Sequence, residues 1–227
     1  MEWKEKGYLL SKNQFNENSS IVEFFTKKKG KISGIIYGST SKKLKNYLQI
    51  GNKFIVNFSS RGDGKIGYFK VEIEQVLTPL YFDNKNKLAC IISAMNLIKL
   101  LTVEFQENIK IYKLIENLFE ILTLIDWLKK YIFWELHFLK LIGYDLELKK
   151  LVNKEIINGK IFYSVKSNKE KKFVPNFLIE SNNKDSNKND LLKGLKLVGD
   201  YLDKSILKPN NISFPRARLD FVNRIKT

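Results

Sequence analysis

Lys31-Ile32-Ser33-Gly34-Ile35-Ile36-Tyr37 and Lys53-Phe54-Ile55-Val56-Asn57-Phe58 alternate apolar and polar side chains with a period near two, as half-buried strands require. The pattern extends outward on both sides. Ile21-Val22-Glu23-Phe24-Phe25 precedes these runs, and Lys65-Ile66-Gly67-Tyr68-Phe69-Lys70-Val71-Glu72-Ile73 follows them. Glycines at 30, 34, 38, 51, 62, 64 and 67 punctuate the runs where turns and bulges are needed. About five strands within residues 1–80 fit a small closed barrel, because closure removes the edges that a short open sheet would expose.

The period changes near residue 81. Leu88, Ile91, Ile92, Met95, Ile98 and Leu101 recur at helical spacing, as do Ile111, Leu114, Ile115, Leu118, Leu122 and Ile125. Ile132, Leu136, Leu139 and Ile142 mark a third helix that Gly143 is placed to stop. Residues 151–175 return to a strand-like pattern around Asn158-Gly159, a strong hairpin pair. A polar loop over 181–189 precedes further helix, and Pro215 opens a last helix reaching Arg224. The predicted architecture is therefore α+β, with a barrel domain at 1–80 and a mainly helical domain at 81–227 carrying a small β-hairpin insert.

The 227 residues include 40 Lys and Arg against 24 Asp and Glu, a formal charge of +16. Such an excess favours a polyanionic partner. It is unevenly placed: residues 1–80 carry +7, residues 81–150 only +1, and residues 151–227 carry +8. One cysteine, Cys90, excludes an internal disulfide and a cysteine-cluster zinc site. The opening residues lack a signal-peptide apolar stretch, and no run approaches the ~18 apolar residues of a membrane span. A cytoplasmic, nucleoid-associated protein with no membrane contact is expected.

The densest functional cue is Lys27, Lys28, Lys29, Lys31, Lys42, Lys43 and Lys45, with no acidic residue between them. Ammonium groups on turns flanking a strand contact phosphates without reading bases. The competing explanation is a solubilising surface in a lysine-rich chain. Tyr37 and Tyr68 are the stacking candidates among the barrel aromatics, since their hydroxyls tolerate solvent. Arg61, in a tight Arg61-Gly62-Asp63 turn, offers a guanidinium fork to phosphate.

No catalytic constellation emerges. His137 lies alone on an aromatic-rich helix, and Glu135, two residues away, points elsewhere. Glu72 and Glu74 share a strand face without a third acid, and Glu104 and Glu107 share a predicted helical face. There is no phosphate-binding loop of the glycine–lysine–serine type. A non-enzymatic protein without metal or cofactor is expected.

Several of these segments resemble a known family. Gly7-Tyr8-Leu9-Leu10, Glu17-Asn18-Ser19-Ser20-Ile21-Val22, Phe25-Thr26 and Gly30-Lys31 are similar to the opening of RecO, the bacterial recombination mediator. So are Gly34-Ile35-Ile36-Tyr37-Gly38-Ser39 with Lys42-Lys43, and Leu48-Gln49-Ile50-Gly51-Asn52. Trp134-Glu135-Leu136 and Leu141-Ile142-Gly143-Tyr144-Asp145-Leu146-Glu147-Leu148 resemble the family's long helix and following turn. Tyr163-Ser164-Val165-Lys166-Ser167 and Phe214-Pro215-Arg216-Ala217-Arg218 resemble later family elements, so the likeness covers nearly the whole chain in order.

The resemblance implies an N-terminal OB-fold barrel followed by a helical domain. It also implies binding to single- and double-stranded DNA and annealing of complementary strands. A RecR-like partner would then help load the RecA recombinase onto strands coated by single-strand-binding protein. Some relatives bind zinc through four cysteines after the long helix; residues 148–175 hold none, so a metal-free hairpin is expected there. Relatives hold the acidic-hydrophobic C-terminal tail of single-strand-binding protein on the helical domain, for which Lys129, Lys130 and Lys140 are the candidates. An RNA- or ribosome-binding barrel protein and an architectural protein-interaction module are the rival readings.

Overall fold

A computed structural model describes residues 1–60, 62, 66–157, 159–167, 170–180 and 186–227. It divides into two compact units. The first comprises Met1–Phe119 with Pro215–Arg224, and the second Glu120–Phe214 with Ile225–Thr227.

Five strands close the barrel of the first unit in the order β1-β2-β3-β5-β4: β1 Glu2–Asn16, β2 Ser19–Thr26, β3 Gly30–Tyr37, β4 Lys53–Ser59 and β5 Gly67–Gln75. All neighbours are antiparallel except β3 and β5. That parallel seam is only two residues long, pairing Gly34 with Gly67 and Ile35 with Tyr68. Both glycines are dictated by close approach. A Cβ on Gly67 would lie 2.2 Å from the Phe58 ring, and one on Gly34 2.5 Å from the Phe69 ring. The four-residue cluster of Phe24, Phe54, Phe58 and Phe69 can thus fill the barrel up to its seam, together with Leu9, Val22, Ile32, Ile36 and Val56.

β4 shows the clean alternation of a strand with one wet face, whereas β1 and β2 do not. Their outer faces are covered as well: Tyr8 on β1 lies against Tyr112 and Phe119 of α3 (Ile109–Leu122). Between β3 and β4 runs the six-residue α1, Lys42–Tyr47, N-capped by the Ser41 hydroxyl; Leu48 just beyond it drops into the barrel core. Helix α2, Lys85–Leu101, completes this unit's main elements, with Cys90 buried on its apolar side.

The second unit holds α4 (Trp127–Leu141), a single turn α5 (Leu148–Leu151), a three-stranded sheet and α6 (Lys188–Leu202). Gly143 ends α4 at φ +94°. The expected hairpin of β6 (Asn153–Ile157) and β7 (Lys160–Ser167) gains a third strand, β8 (Glu170–Val174), in the order β6-β7-β8. Its Glu170-Lys171-Lys172 start reads as a solvated stretch, which conceals it in the sequence. Gly194 lets α6 approach Phe177 and Ile132, since a Cβ there would meet the Phe177 ring at 2.8 Å. A π-helical turn, Asp203–Leu207, follows α6. The helix α7 (Arg216–Lys226) begins directly after Pro215 and belongs to the first unit as far as Arg224. Asn158 and residues 181–185 of the expected polar loop lie outside the described residues. No helix among the described residues is long and apolar enough to cross a membrane.

Candidate nucleic-acid interface

The lysines that are dense in sequence separate in space. Lys27, Lys28 and Lys29 form the turn between β2 and β3, while Lys42, Lys43 and Lys45 stand on α1, which follows the far end of β3. Eight residues of strand set the two groups roughly 23 Å apart along β3. The second group is helical, not the turn that the sequence suggests. All three of its lysines are exposed, and among the described residues none has an acidic partner.

Lys31 differs from the rest. Its ammonium donates to the Lys99 backbone carbonyl at 2.8 Å, so it ties β3 to the end of α2. Nearby, Lys99 pairs with Glu23 at 2.8 Å, and the Ser33 hydroxyl donates to Glu104. These contacts cover the outward face of β2 and β3 around Lys31 and Ser33. Glu104 and Glu107 therefore belong to a loop between α2 and α3, not to one helical face.

The other end of that face is open. Tyr37 closes β3 with 60% of its surface exposed, and its ring stacks on Tyr68 of β5 at 5.5 Å and 29°. The β3–β5 seam makes this pair, because Ile35 opposite Tyr68 brings Tyr37 two residues further along the same side. Only four residues separate Tyr37 from Lys42 at the start of α1.

One further lysine joins α1, and the linear sequence conceals it. Lys12 on β1 is paired opposite Val22, whose side chain is inside the barrel. Partial burial, followed by the nearby charge of Lys45, pulls the Lys12 ammonium below its ordinary pKa. Only the β1–β2 register reveals this neighbour. Arg61 lies outside the described residues.

In the second unit the three expected partner-binding lysines each have a local engagement. Lys129 sits over the Phe177 ring at 5.7 Å, Lys130 pairs with Asp126 at 3.0 Å, and Lys140 pairs with Asp145 at 2.7 Å. The hydrogen bond to Asp145 raises the Lys140 pKa. A pocket of about 490 Å³ opens elsewhere, on the exposed side of α6. Leu148, Leu151, Val165, Phe173 and Leu197 make its apolar wall, and Lys172, Lys193, Lys196 and Lys204 stand around it. Asp200 neutralises one of them, pairing with Lys172 at 3.3 Å.

Some of the carboxylates weighed for catalysis have structural partners. Glu135 is 2% exposed and accepts from the Tyr131 hydroxyl at 2.8 Å. Glu74 pairs with Lys6. Among the described residues, no three His, Cys, Asp or Glu side chains gather as a metal site.

Comparison with known proteins agrees with this arrangement. The family model described as "Recombination protein O N terminal" matches residues 1–76, the barrel itself. The DNA repair protein RecO of Caulobacter vibrioides is 24% identical over 99% of this chain and 98% of its own length. That of Rickettsia canadensis is 30% identical over 81% of both chains. This chain belongs to the RecO family. RecO of Rickettsia rickettsii extends the likeness, at 32% identity over 74% of this chain and 70% of the relative. Membership assigns the chain a role in DNA repair and identifies its barrel as the OB-type fold of RecO. The family's name is that of a repair protein, not of an enzyme class.

Proposed function

We propose that this RecO-family chain is a non-enzymatic recombination mediator whose barrel holds single-stranded DNA between the Tyr37–Tyr68 pair and the lysines of α1. The observation that carries the reading is the Tyr37–Tyr68 stack at the end of β3, from which the chain runs directly into Lys42, Lys43 and Lys45 of α1. Stacked aromatics accept any base face, and ammonium groups neutralise phosphate without regard to sequence. Such a site binds strands and leaves base edges available for pairing, which is the physical requirement for annealing. Duplex DNA is held by the same lysines through its phosphates alone.

In the second unit, the α6 pocket suits the acidic-hydrophobic C-terminal tail of single-strand-binding protein. Its apolar wall takes the hydrophobic end and its lysines take the carboxylates. A RecR-like partner then helps transfer the strand to RecA recombinase. The working location is the cytoplasm, on the nucleoid.

The test is annealing of complementary strands coated with single-strand-binding protein, with and without that protein's tail. Tail-dependent annealing is the expected result. Equal binding to matched RNA, with no annealing, would favour an RNA-binding role. Retention of a protein partner without nucleic-acid binding would reduce the lysines to surface chemistry.

A further inference from the structure

Phe105 is an unusual residue for its position. It takes a left-handed backbone conformation, φ +57°, although a large side chain disfavours that region. The other non-glycine residue with positive φ among the described residues is Asn211, a type that tolerates it. Burial does not repay the strain at Phe105, because the ring is 58% exposed.

Three contacts hold the backbone of this segment where it is. The Phe105 N–H donates to the Lys31 carbonyl at 3.0 Å, in a parallel bridge that pairs Lys31 with Glu104. Glu104 also accepts from Ser33. Gly30, at φ +67°, lets the Gln106 backbone lie so close that a Cβ would stand 1.9 Å from the Gln106 carbonyl oxygen. The segment thus fills the β3 edge where β5, paired with β3 only at 34 and 35, has diverged.

This construction holds the backbone of an exposed aromatic against Gly30 and Lys31, the residues that follow the Lys27–Lys29 turn. Thr26 builds that turn: its hydroxyl accepts from the Lys29 N–H and donates to the Gly30 carbonyl. Among the described residues, none of the three lysines forms an ion pair with an acid. The Glu5 carboxylate accepts from the Lys28 backbone N–H at 2.9 Å, which leaves three ammonium groups against one acid at the turn. An exposed ring with a surplus of ammonium groups is the combination that single-stranded nucleic acid recognises.

We infer that Phe105 and the Lys27–Lys29 turn form a second single-strand contact, separate from the Tyr37–Tyr68 site. It rests on the strand-binding reading above and adds a second strand position to it. The carboxylates of Glu23 and Glu104 lie on the β2–β3 face between the two sites. Lys31 and Lys99 are both engaged on that face, so the band offers phosphate no surplus positive charge and each end takes its own strand segment. A protein with two such positions brings two strands together on one barrel.

The experiment uses the full chain and fluorescein-labelled oligothymidine of roughly six nucleotides, short enough to occupy one site. Anisotropy titrations at low salt give stoichiometry and affinity for the wild type, Phe105→Ala, Phe105→Gly and the Tyr37→Ala/Tyr68→Ala pair. Two oligonucleotides per wild-type chain are expected. Either Phe105 variant then loses one, with that site weakened roughly 10- to 100-fold. Phe105→Gly separates binding from folding, since glycine suits the backbone and keeps thermal stability while removing the ring. If both Phe105 variants retain wild-type stoichiometry while the tyrosine pair abolishes binding, the second site is overturned and the first stands. If the wild type binds no oligonucleotide, the strand-binding reading falls and the second site with it.

Discussion

At Lys53 three kinds of interaction meet on one ammonium group. Burial acts first and opposes its charge, but the hydrogen bond to Glu116 and the adjacent Tyr8 reverse the balance and raise its pKa above the ordinary lysine value. The ammonium stands over the rings of Tyr8 and Tyr112, whose own pKa values burial drives upward. A raised folded-state pKa contributes stability that is complete below the unfolded lysine value and disappears as pH rises through the folded one. Glu116→Gln should therefore cost about 1 kcal/mol at neutral pH and move the alkaline unfolding midpoint downward, read by denaturant melts across pH. Lys12 has the opposite sign. Its lowered pKa means that the unfolded chain binds more protons just below the ordinary lysine pKa, so stability rises with pH in that window. Lys12→Met should raise the melting temperature at neutral pH and low salt while weakening strand binding. A variant that lost stability and kept binding would return Lys12 to a structural role.

Helix α1 illustrates what each level of description can deliver. Three lysines and an apolar Leu44 within six residues give little periodicity, so the sequence suggests a basic turn, and only the Ser41 cap and Leu48 anchor make it a helix. The alternating runs around Phe24, Ile32 and Phe54 are legible because each strand has to put the same residue types inside one barrel. β1 is less so, being covered on both faces near Tyr8, and β8 is hidden by its lysines. For the candidate site, the types of residue were legible and their grouping was not. Tyr37 and Tyr68 meet only through the two-residue seam, and Lys12 meets Lys45 only through a register that joins distant segments. Phe105 carried no sequence signal, since its interest lies in a backbone angle. At this scale salt is the useful probe. If α1 contacts phosphate, replacing Lys42, Lys43 and Lys45 with glutamine should flatten the slope of log affinity against log salt by up to about 2 for single strands. An unchanged slope would remove α1 from the interface.

The charge of the molecule alone does not separate strand contact from partner contact, because lysines in both units attract any polyanion and any acidic tail. Apolar side chains do separate them. Leu151 and Phe173 line the α6 pocket and are each 53% exposed, so neither is a core residue whose loss should unfold the unit. Replacing both with serine keeps every lysine and leaves the long-range field intact. Bare DNA responds chiefly to that field, whereas an acidic-hydrophobic tail also needs the apolar wall. Leu151→Ser/Phe173→Ser should thus preserve affinity for uncoated strands within about twofold, because surface changes of this kind shift energies by only about 0.5 kcal/mol. The same variant should lose tail-dependent annealing of strands coated with single-strand-binding protein. The α1 glutamine variant should show the reverse order, weakening first on bare strands and retaining binding of the isolated tail peptide. Both measurements use one protein preparation and one salt concentration, which removes ionic strength as an explanation. If the pocket variant anneals coated strands as well as the wild type, the tail binds elsewhere and the α6 pocket loses its assignment, while the barrel's role in holding DNA is untouched.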